Sequence, residues 1–206
     1  MPDTYHTLRE LEELFQTLII DMLSLASGSP LDYDAASYYV RVAWPTDGAP
    51  AWKNTETICF LRVSEVDDPI NRQREERIIE QETSPASLYL DRELSYNVVL
   101  NVNIICYGPN SWEWIQTIRD SVFDENPFRY TLSSEKIYPI PDFVAPRRVP
   151  EPFQNQYWER VDFDIRFNAN IRKTTEIGTI GSVPVVVCIE DDEMKIEEVN
   201  VIVIEE

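Results

Sequence analysis

The chain has 206 residues, of which 43% are hydrophobic, and its 37 acidic and 18 basic side chains give a formal net charge of −19. This length suffices for one domain with a sizeable core. The acidic excess argues against a protein that grips DNA through its phosphates, because such binding needs clustered Lys and Arg. It fits a surface that lets DNA slide past, and it equally fits the plainer alternative of charge that maintains solubility.

Cysteine usage and the absence of targeting signals set the expected compartment. Cys59, Cys106 and Cys188 have no CxxC spacing, and their odd number does not suggest a disulfide framework. We expect Cys106 to be a small core residue and the thiols to suit a reducing cytoplasm. The N-terminus lacks a signal-peptide pattern, and no apolar stretch reaches transmembrane length, so we expect a soluble intracellular protein with no membrane partner.

The first predicted element is an amphipathic helix. Its apolar residues recur at steps of three and four: Leu8, Leu11, Phe15, Leu18, Met22 and Leu25. Thr7 and Glu10 have the spacing of a capping box, and the Gly-Ser-Pro run at 28–30 ends the helix. Leu14 and Ile19 widen the apolar stripe, so we expect the helix to lie on a sheet or on neighbouring helices rather than in a coiled coil.

Two strands are expected next, at 37–44 and 57–66, followed by a densely charged segment from Asp67 to Ser84. That segment is too polar to offset its ordering entropy by burial. We therefore expect a solvated loop or hairpin, or an arm that becomes ordered against a neighbour.

The longest regular pattern lies at 94–123. Apolar residues alternate with Ser and Asn from Leu94 to Cys106, which predicts a long strand with one buried, apolar face. The sequence GPNS at 108–111 then ends the strand and caps a helix, WEWIQTIRDSVF. This connection is a scaffold feature, because the turn contains no catalytic side chain.

The second half of the chain is predicted to be mostly extended. A strand at 136–140 precedes a proline-rich extended connection that reaches residue 152. An alternating strand at 157–167 is expected to pair with the long strand. Its inward residues would be Tyr157, Val161, Phe163, Ile165 and Phe167. Strands at 174–189 and 195–204 predict a C-terminal ribbon that is apolar on both faces. It either folds back on its own sheet or adds strands to another subunit, and the second alternative is favoured.

These elements together indicate an α+β fold, with a mostly antiparallel β-sheet, two packed helices and extended β-hairpin arms. The predicted organisation is one domain at 1–173, which includes the charged loop at 67–84, and a C-terminal β-ribbon arm at 174–206.

The sequence offers little for catalysis. His6 is the single histidine, and without buried partners it cannot build a Ser-His-Asp site or, with isolated cysteines, a zinc site. The best carboxylate cluster is Glu159, Asp162 and Asp164, which a metal-dependent hydrolase could use. The favoured alternative is an outward polar face in which Arg160 and a second arginine at 166 pair with these acids. We expect no enzymatic activity, no cofactor and no metal.

The Asn-alternating strand, the CYGPNS turn and the aromatic-rich helix resemble the neck or tail terminator proteins of tailed bacteriophages, as does IPDFVAPRRVPEPFQNQYWERVDFDIRFN at 140–168. The resemblance covers residues 55–170. It implies a structural virion protein that forms a homohexameric ring, terminates the tail tube and joins it to the neck or connector protein. DNA would pass through the lumen without specific binding. The implied location is the tail or neck of the virion, after assembly in the host cytoplasm.

The interface residues predicted on this interpretation are arginines, aromatic anchors and ribbon valines: Arg72, Arg74, Arg77, Trp112, Arg147, Arg148, Trp158, Val185, Val187, Val199, Val201 and Val203. The tryptophans could also stack on bases, but an acidic chain disfavours that. A close variant is a contractile tail, in which the ring also touches the sheath protein through the ribbon. Alternatives of other classes are the metal-dependent hydrolase and a monomeric binding or chaperone module.

Overall fold

The computed structural model describes residues 6–27, 37–44, 48, 50–80, 89–123, 127–142, 144–153 and 155–178. The chain divides into two compact units. One comprises residues 4–74 and 96–171, and the other comprises 1–3, 75–95 and 172–206. Within the described ranges, no helix is long and apolar enough to cross a membrane.

The described helices and strands follow in chain order: α1 (Leu8–Ser27), β1 (Val40–Val42), β2 (Ile58–Val66), a 3₁₀ turn (Pro69–Arg72), β3 (Arg74–Glu80), β4 (Tyr89–Tyr107), α2 (Ser111–Phe123), α3 (Pro127–Ser134), β5 (Ile137–Pro139), β6 (Arg147–Arg148), β7 (Glu151–Phe153), β8 (Gln156–Trp158) and β9 (Arg160–Gly178). The main sheet has the order β1-β2-β4-β9-β5, with β3 paired to β4 and β6 paired to β9; β7 and β8 form a separate hairpin. The pairs β2–β4, β5–β9, β6–β9 and β7–β8 are antiparallel, and β1 runs parallel to β2. The predicted α+β class is confirmed.

Helix α1 begins with the predicted capping box. The Thr7 backbone N–H donates to Glu10 Oε2 (2.7 Å), and the Glu10 backbone N–H donates to Thr7 Oγ1 (3.3 Å). The hydrogen bond from the Thr7 backbone lowers the pKa of Glu10. The middle of the apolar stripe is buried, but its ends are not, because Leu8 is 55% exposed and Leu25 is 67% exposed.

The core lies between the helices and one face of the sheet. On β4 the predicted apolar face is buried in its second half: Val98, Leu100, Val102, Ile104 and Cys106. Leu94 and Tyr96 of the same face are only half-buried, and Glu93 and Val99 of the opposite face are buried as well. On β9, Val161, Phe163, Ile165 and Phe167 are buried as expected. The expectation for Tyr157 is wrong, because this residue lies in β8 before the long strand begins and is 79% exposed.

The structure adds a helix that the sequence did not predict. Helix α3 starts at Pro127, whereas the Asn-Pro pair at 126–127 favours a helix stop on the sequence alone. Proline is favoured in the first turn of a helix, where its missing N–H leaves no bond unmade. Phe128 and Leu132 of α3 are buried in the core.

One pair of cysteines contradicts the expectation of free thiols. Cys59 and Cys106 face each other in the β2–β4 register and form a disulfide, with Cα atoms 4.2 Å apart. Both residues are fully buried, so the expected core position of Cys106 is correct. The two residues therefore give no support to a reducing compartment.

The predicted turn after β4 is built on a glycine that no other residue can replace without strain. Gly108 has a φ of 103°, and a Cβ placed on it would lie 2.2 Å from the Glu56 carbonyl oxygen. Its N–H donates to the Glu159 carbonyl (3.0 Å), and its carbonyl accepts from Ser111 N–H (3.1 Å). The turn thus links β4 and α2 to the residue before β9, and it packs closely against the segment before β2.

The described part of the charged segment, residues 67–80, contains the 3₁₀ turn and strand β3. Asp68 caps the 3₁₀ turn by accepting from the Ile70 N–H (3.0 Å), and the Asn71 side chain bonds the Val66 carbonyl (2.7 Å) and the Val99 N–H (3.0 Å). Strand β3 then pairs with β4. Strand β9 is longer than predicted and continues to Gly178. The predicted ribbon beyond residue 178 lies outside the described residues.

Candidate interaction surface

The sheet face opposite the core is a ladder of amides and carboxylates. Asn101 and Asn103 on β4 donate from Nδ2 to Asp164 Oδ1 on β9, at 3.1 and 2.9 Å. Further along the same two strands, Asn170 Nδ2 donates to Asn97 Oδ1 (3.0 Å). The alternating asparagines of β4 therefore fix the two long strands to each other from the outside of the sheet.

The three acids considered for a metal site are engaged by basic and amide groups. Both Asp162 oxygens accept from the Arg160 guanidinium, at 2.6 Å from Nε and 3.0 Å from Nη2. Glu159 pairs with Arg148, and Asp164 accepts from the two asparagines. In the described part of the chain, no three His, Cys, Asp or Glu side chains are grouped to hold a metal ion. The geometry matches the outward polar face for Arg160, whereas Arg166, which was also expected to pair with these acids, lies 3.8 Å from Asp142 instead.

Arg160 also contacts Glu151, which in turn accepts a hydrogen bond from Tyr107. Its Nη1 donates to Glu151 Oε2 (3.1 Å), and the Tyr107 hydroxyl donates to the same oxygen (2.9 Å). Burial, and then this hydrogen bond, raise the pKa of Tyr107 to about 12. The hydrogen bond from Tyr107, followed by that from Arg160, lowers the pKa of Glu151. The hydrogen bond to Asp162 raises the pKa of Arg160.

An aromatic cluster lies on the same outer side and consists of Trp52, Phe60, Tyr107, Phe153 and Trp158. Trp52 is central, with its ring centroid 5.2 Å from Phe60, 6.0 Å from Tyr107 and 5.8 Å from Trp158. Trp158 in turn meets Phe153 edge to face at 5.6 Å. Sequence reasoning selected only Trp158, because the cluster forms from segments that are distant in sequence and shares no local pattern.

The β7–β8 hairpin extends this cluster to the surface. Phe153 is 53% exposed and Tyr157 is 79% exposed, and Asn155 at the hairpin turn has a φ of 62°. Asn54 Nδ2 donates to Gln156 Oε1 (3.1 Å), which ties the hairpin to the segment that carries Trp52. Exposed aromatic side chains backed by a packed cluster are typical anchors of protein interfaces.

Three of the predicted interface residues adjoin this hairpin. Arg147 and Arg148 form the short strand β6, and their side chains are 65% and 62% exposed. Arg147 Nη2 lies 4.0 Å from Asp164 Oδ2, and Arg148 pairs with Glu159. The alternation predicts an outward Trp158, but this side chain is half-buried within the aromatic cluster.

The arginines predicted in the charged segment already have partners within the chain. Arg72 Nη2 lies 3.6 Å from Asp67 Oδ1, and Arg74 Cζ lies 5.9 Å from the centre of the Tyr96 ring. Arg77 pairs with a glutamate two residues earlier on β3, at 2.5 Å. Exposed ion pairs of this kind contribute little stability, so these side chains remain available to partners.

The other predicted interface residues lie elsewhere in the chain. Trp112 lies in the first turn of α2 and is 40% exposed, so it belongs to the helix layer. The valines of the predicted ribbon lie outside the described residues: Val185, Val187, Val199, Val201 and Val203.

Comparison with known proteins gives one family. The family described as "Phage neck terminator protein" matches residues 9–192. No curated protein matches the chain. Because the family match covers most of the sequence, the chain belongs to the phage neck terminator protein family and has a structural role at the phage neck.

Proposed function

We propose that copies of this chain assemble into a ring, a homohexamer, that terminates the tail tube and joins it to the neck or connector protein while DNA passes through the lumen. The observation that carries the proposal is the family match over residues 9–192. The mechanism is binding without bond-making. Assembly takes place in the host cytoplasm, and the mature protein resides in the virion.

A closed ring of identical copies requires two different surfaces on each copy. We assign one of them to the β7–β8 hairpin, because Phe153 and Tyr157 are large exposed aromatics beside the arginines of β6. The second lies in the helix layer, where Trp112 and Tyr130 are 40% and 71% exposed. Each copy would place its hairpin against the helix layer of the next.

The charged segment at 67–84 and the C-terminal ribbon would contact the other neck and tail proteins. Ile78 and Ile79 on β3 are 47% and 44% exposed between charged neighbours, so this strand offers apolar contacts on both faces. In a contractile tail, the ribbon at 174–206 would also contact the last layer of sheath protein. DNA would meet a chain of net charge −19 and pass without specific binding.

A non-enzymatic role is supported by the state of the candidate acids. Asp162, Asp164 and Glu159 all accept hydrogen bonds or ion pairs from neighbouring side chains. A metal would have to displace these partners, so we propose that they stabilise the sheet rather than act in hydrolysis.

Electron microscopy of isolated tail tubes tests the proposal. Purified protein added to tubes of the same phage should cap one end, and the double substitution Phe153→Ser with Tyr157→Ser should abolish the caps while leaving the circular dichroism spectrum unchanged. Arg9→Ser is the matched control, because Arg9 is exposed and lies on α1, not on the hairpin or on the two helices that carry Trp112 and Tyr130. Tubes that remain uncapped by the unmodified protein would contradict the terminator role.

A further inference from the structure

Arg41 is a buried cation that makes no ion pair with the described residues. It lies in β1 and is 6% exposed. Its Nε donates to the Tyr38 carbonyl (2.6 Å) and its Nη1 to the Pro50 carbonyl (2.7 Å). Its Nη2 is buried and has no hydrogen-bond partner. No carboxylate of the described residues lies within ion-pair distance of this guanidinium.

The surroundings of Arg41 are aromatic. Its Cζ lies 4.5 Å from the centre of the Tyr38 ring, 5.8 Å from Trp52 and 6.0 Å from Phe60. Ring faces attract a cation, but they leave its N–H groups unsatisfied. The Trp52 Nε1–H is likewise buried without a partner. Two unpaired donors in one low-dielectric cluster are unfavourable unless an acceptor completes them.

Other arginines in the described part of the chain show the contrast. Ion pairs with the chain's own acids are made by Arg9, Arg72, Arg77, Arg92, Arg147, Arg148, Arg160 and Arg166. Those side chains are at least partly exposed, whereas Arg41 is buried. Burial of an uncompensated charge is strongly unfavourable, and the described residues give the Arg41 guanidinium no ion pair. The Glu56 carboxylate accepts from the Tyr38 hydroxyl (3.3 Å) and from the Lys53 backbone N–H (3.0 Å) instead.

We propose that Arg41 and Trp52 form a carboxylate-binding site, which an acidic side chain of a neighbouring copy occupies in the assembly. A carboxylate only accepts hydrogen bonds and carries the opposite charge, so it matches both the open guanidinium N–H groups and the indole N–H. Each copy has 37 acidic against 18 basic side chains and can supply the group. The source of the carboxylate rests on the proposed ring, whereas the chemistry of the site does not.

The segment over Arg41 permits entry. Residues 50–55 contain neither helix nor strand. This segment is held by the bond from Arg41 to the Pro50 carbonyl and by the Tyr38 hydroxyl, which donates to the Ala51 carbonyl at 3.2 Å. Residues 50–55 take no part in the β1–β2 pairing, so a displacement of this segment to admit a carboxylate would leave that pairing intact.

Acetate is the probe for the chemistry of the site. Thermal unfolding is measured in sodium acetate and in sodium chloride of equal ionic strength. At an acetate concentration tenfold above Kd, binding to the native state should raise Tm by about 3–6 °C over chloride. Arg41→Gln should remove this difference, and Arg62→Gln should retain it, because Arg62 is exposed over the Trp44 ring at 4.5 Å.

A second substitution keeps the test decisive if Arg41→Gln fails to fold. Trp52→Phe removes the indole N–H but preserves an aromatic ring, and it should reduce the acetate effect. An acetate effect of equal size in the unmodified protein and in both variants would be a general salt effect and would overturn the site. Absence of any difference between acetate and chloride would overturn it as well.

Association tests the source of the carboxylate. The protein concentration at which copies associate should be at least tenfold higher for Arg41→Gln than for Arg62→Gln. Equal association of the two variants would overturn a neighbouring copy as the source and leave the ring intact. If the unmodified protein never associates, the proposed ring fails, and the acetate measurement separately decides whether the site binds carboxylates.

Discussion

Replacement of Gly108 by alanine should be among the most damaging single changes to this chain. The residue has a φ of 103°, in a region that L side chains rarely adopt. An added Cβ would lie 2.2 Å from the Glu56 carbonyl oxygen and 2.8 Å from Thr57 Cα, and both are backbone atoms that no rotamer change can move. The turn from β4 into α2 would therefore have to shift as a whole.

The magnitude follows from two contributions. A strained backbone conformation costs about 1–3 kcal/mol, and overpacking against atoms that cannot relax costs about 1–3 kcal/mol. A combined loss of about 4 kcal/mol in the free energy of unfolding corresponds to a Tm lowered by about 8–16 °C for a chain of this size. Gly48 provides the matched control, because its φ is 79° but a Cβ on it meets no atom within 4 Å.

Thermal unfolding followed by circular dichroism at 222 nm compares Gly108→Ala with Gly48→Ala. The control should lose only the conformational contribution, about 2 kcal/mol, and its Tm should fall by about 4–8 °C. Equal losses at the two positions would refute the reasoning, because they would mean that the close approach to Glu56 has no energetic consequence.

Three further predictions concern polar groups. The pKa of Tyr107 is raised from 10.0 to about 12, so the stability that the neutral hydroxyl contributes is complete below pH 10 and is lost as pH rises toward 12. In urea unfolding across this pH range, the free energy of unfolding should fall less for Tyr107→Phe than for the unmodified protein. Thr7→Ala should lose the capping box and cost about 1 kcal/mol, seen as a Tm lowered by about 2–4 °C, whereas Thr7→Ser should not. Addition of EDTA should leave Tm unchanged, because Asp162 and Asp164 already have side-chain partners; a lower Tm would reveal a structural metal.

Local patterns predicted the parts of the fold that depend on short-range rules. The alternation from Val98 to Cys106 predicted the buried face of β4, since side chains along a strand have a period of two. The Thr7–Glu10 capping box and the Gly108 turn follow from similarly local geometry. Pro127 misled the same reasoning, because a proline that ends one helix also starts the next.

Features that depend on strand pairing and long-range packing could not be predicted from the sequence. The disulfide depends on the β2–β4 register, which places Cys59 opposite Cys106 across 47 residues. The aromatic cluster around Trp52 forms from four separate segments, none of which has a distinctive composition. The burial of Arg41 without an ion pair to the described residues could not be predicted either, because the sequence VRV predicts an outward arginine on an edge strand.

The mass of the purified protein in solution tests the central claim most directly. Light scattering coupled to size exclusion should be performed on the protein alone and on the protein mixed with the tail-tube protein of the same phage. The account predicts a particle of several copies, six for the proposed ring, either alone or after mixing with tubes. A chain that remains monomeric at all concentrations and does not bind the tubes would contradict the ring.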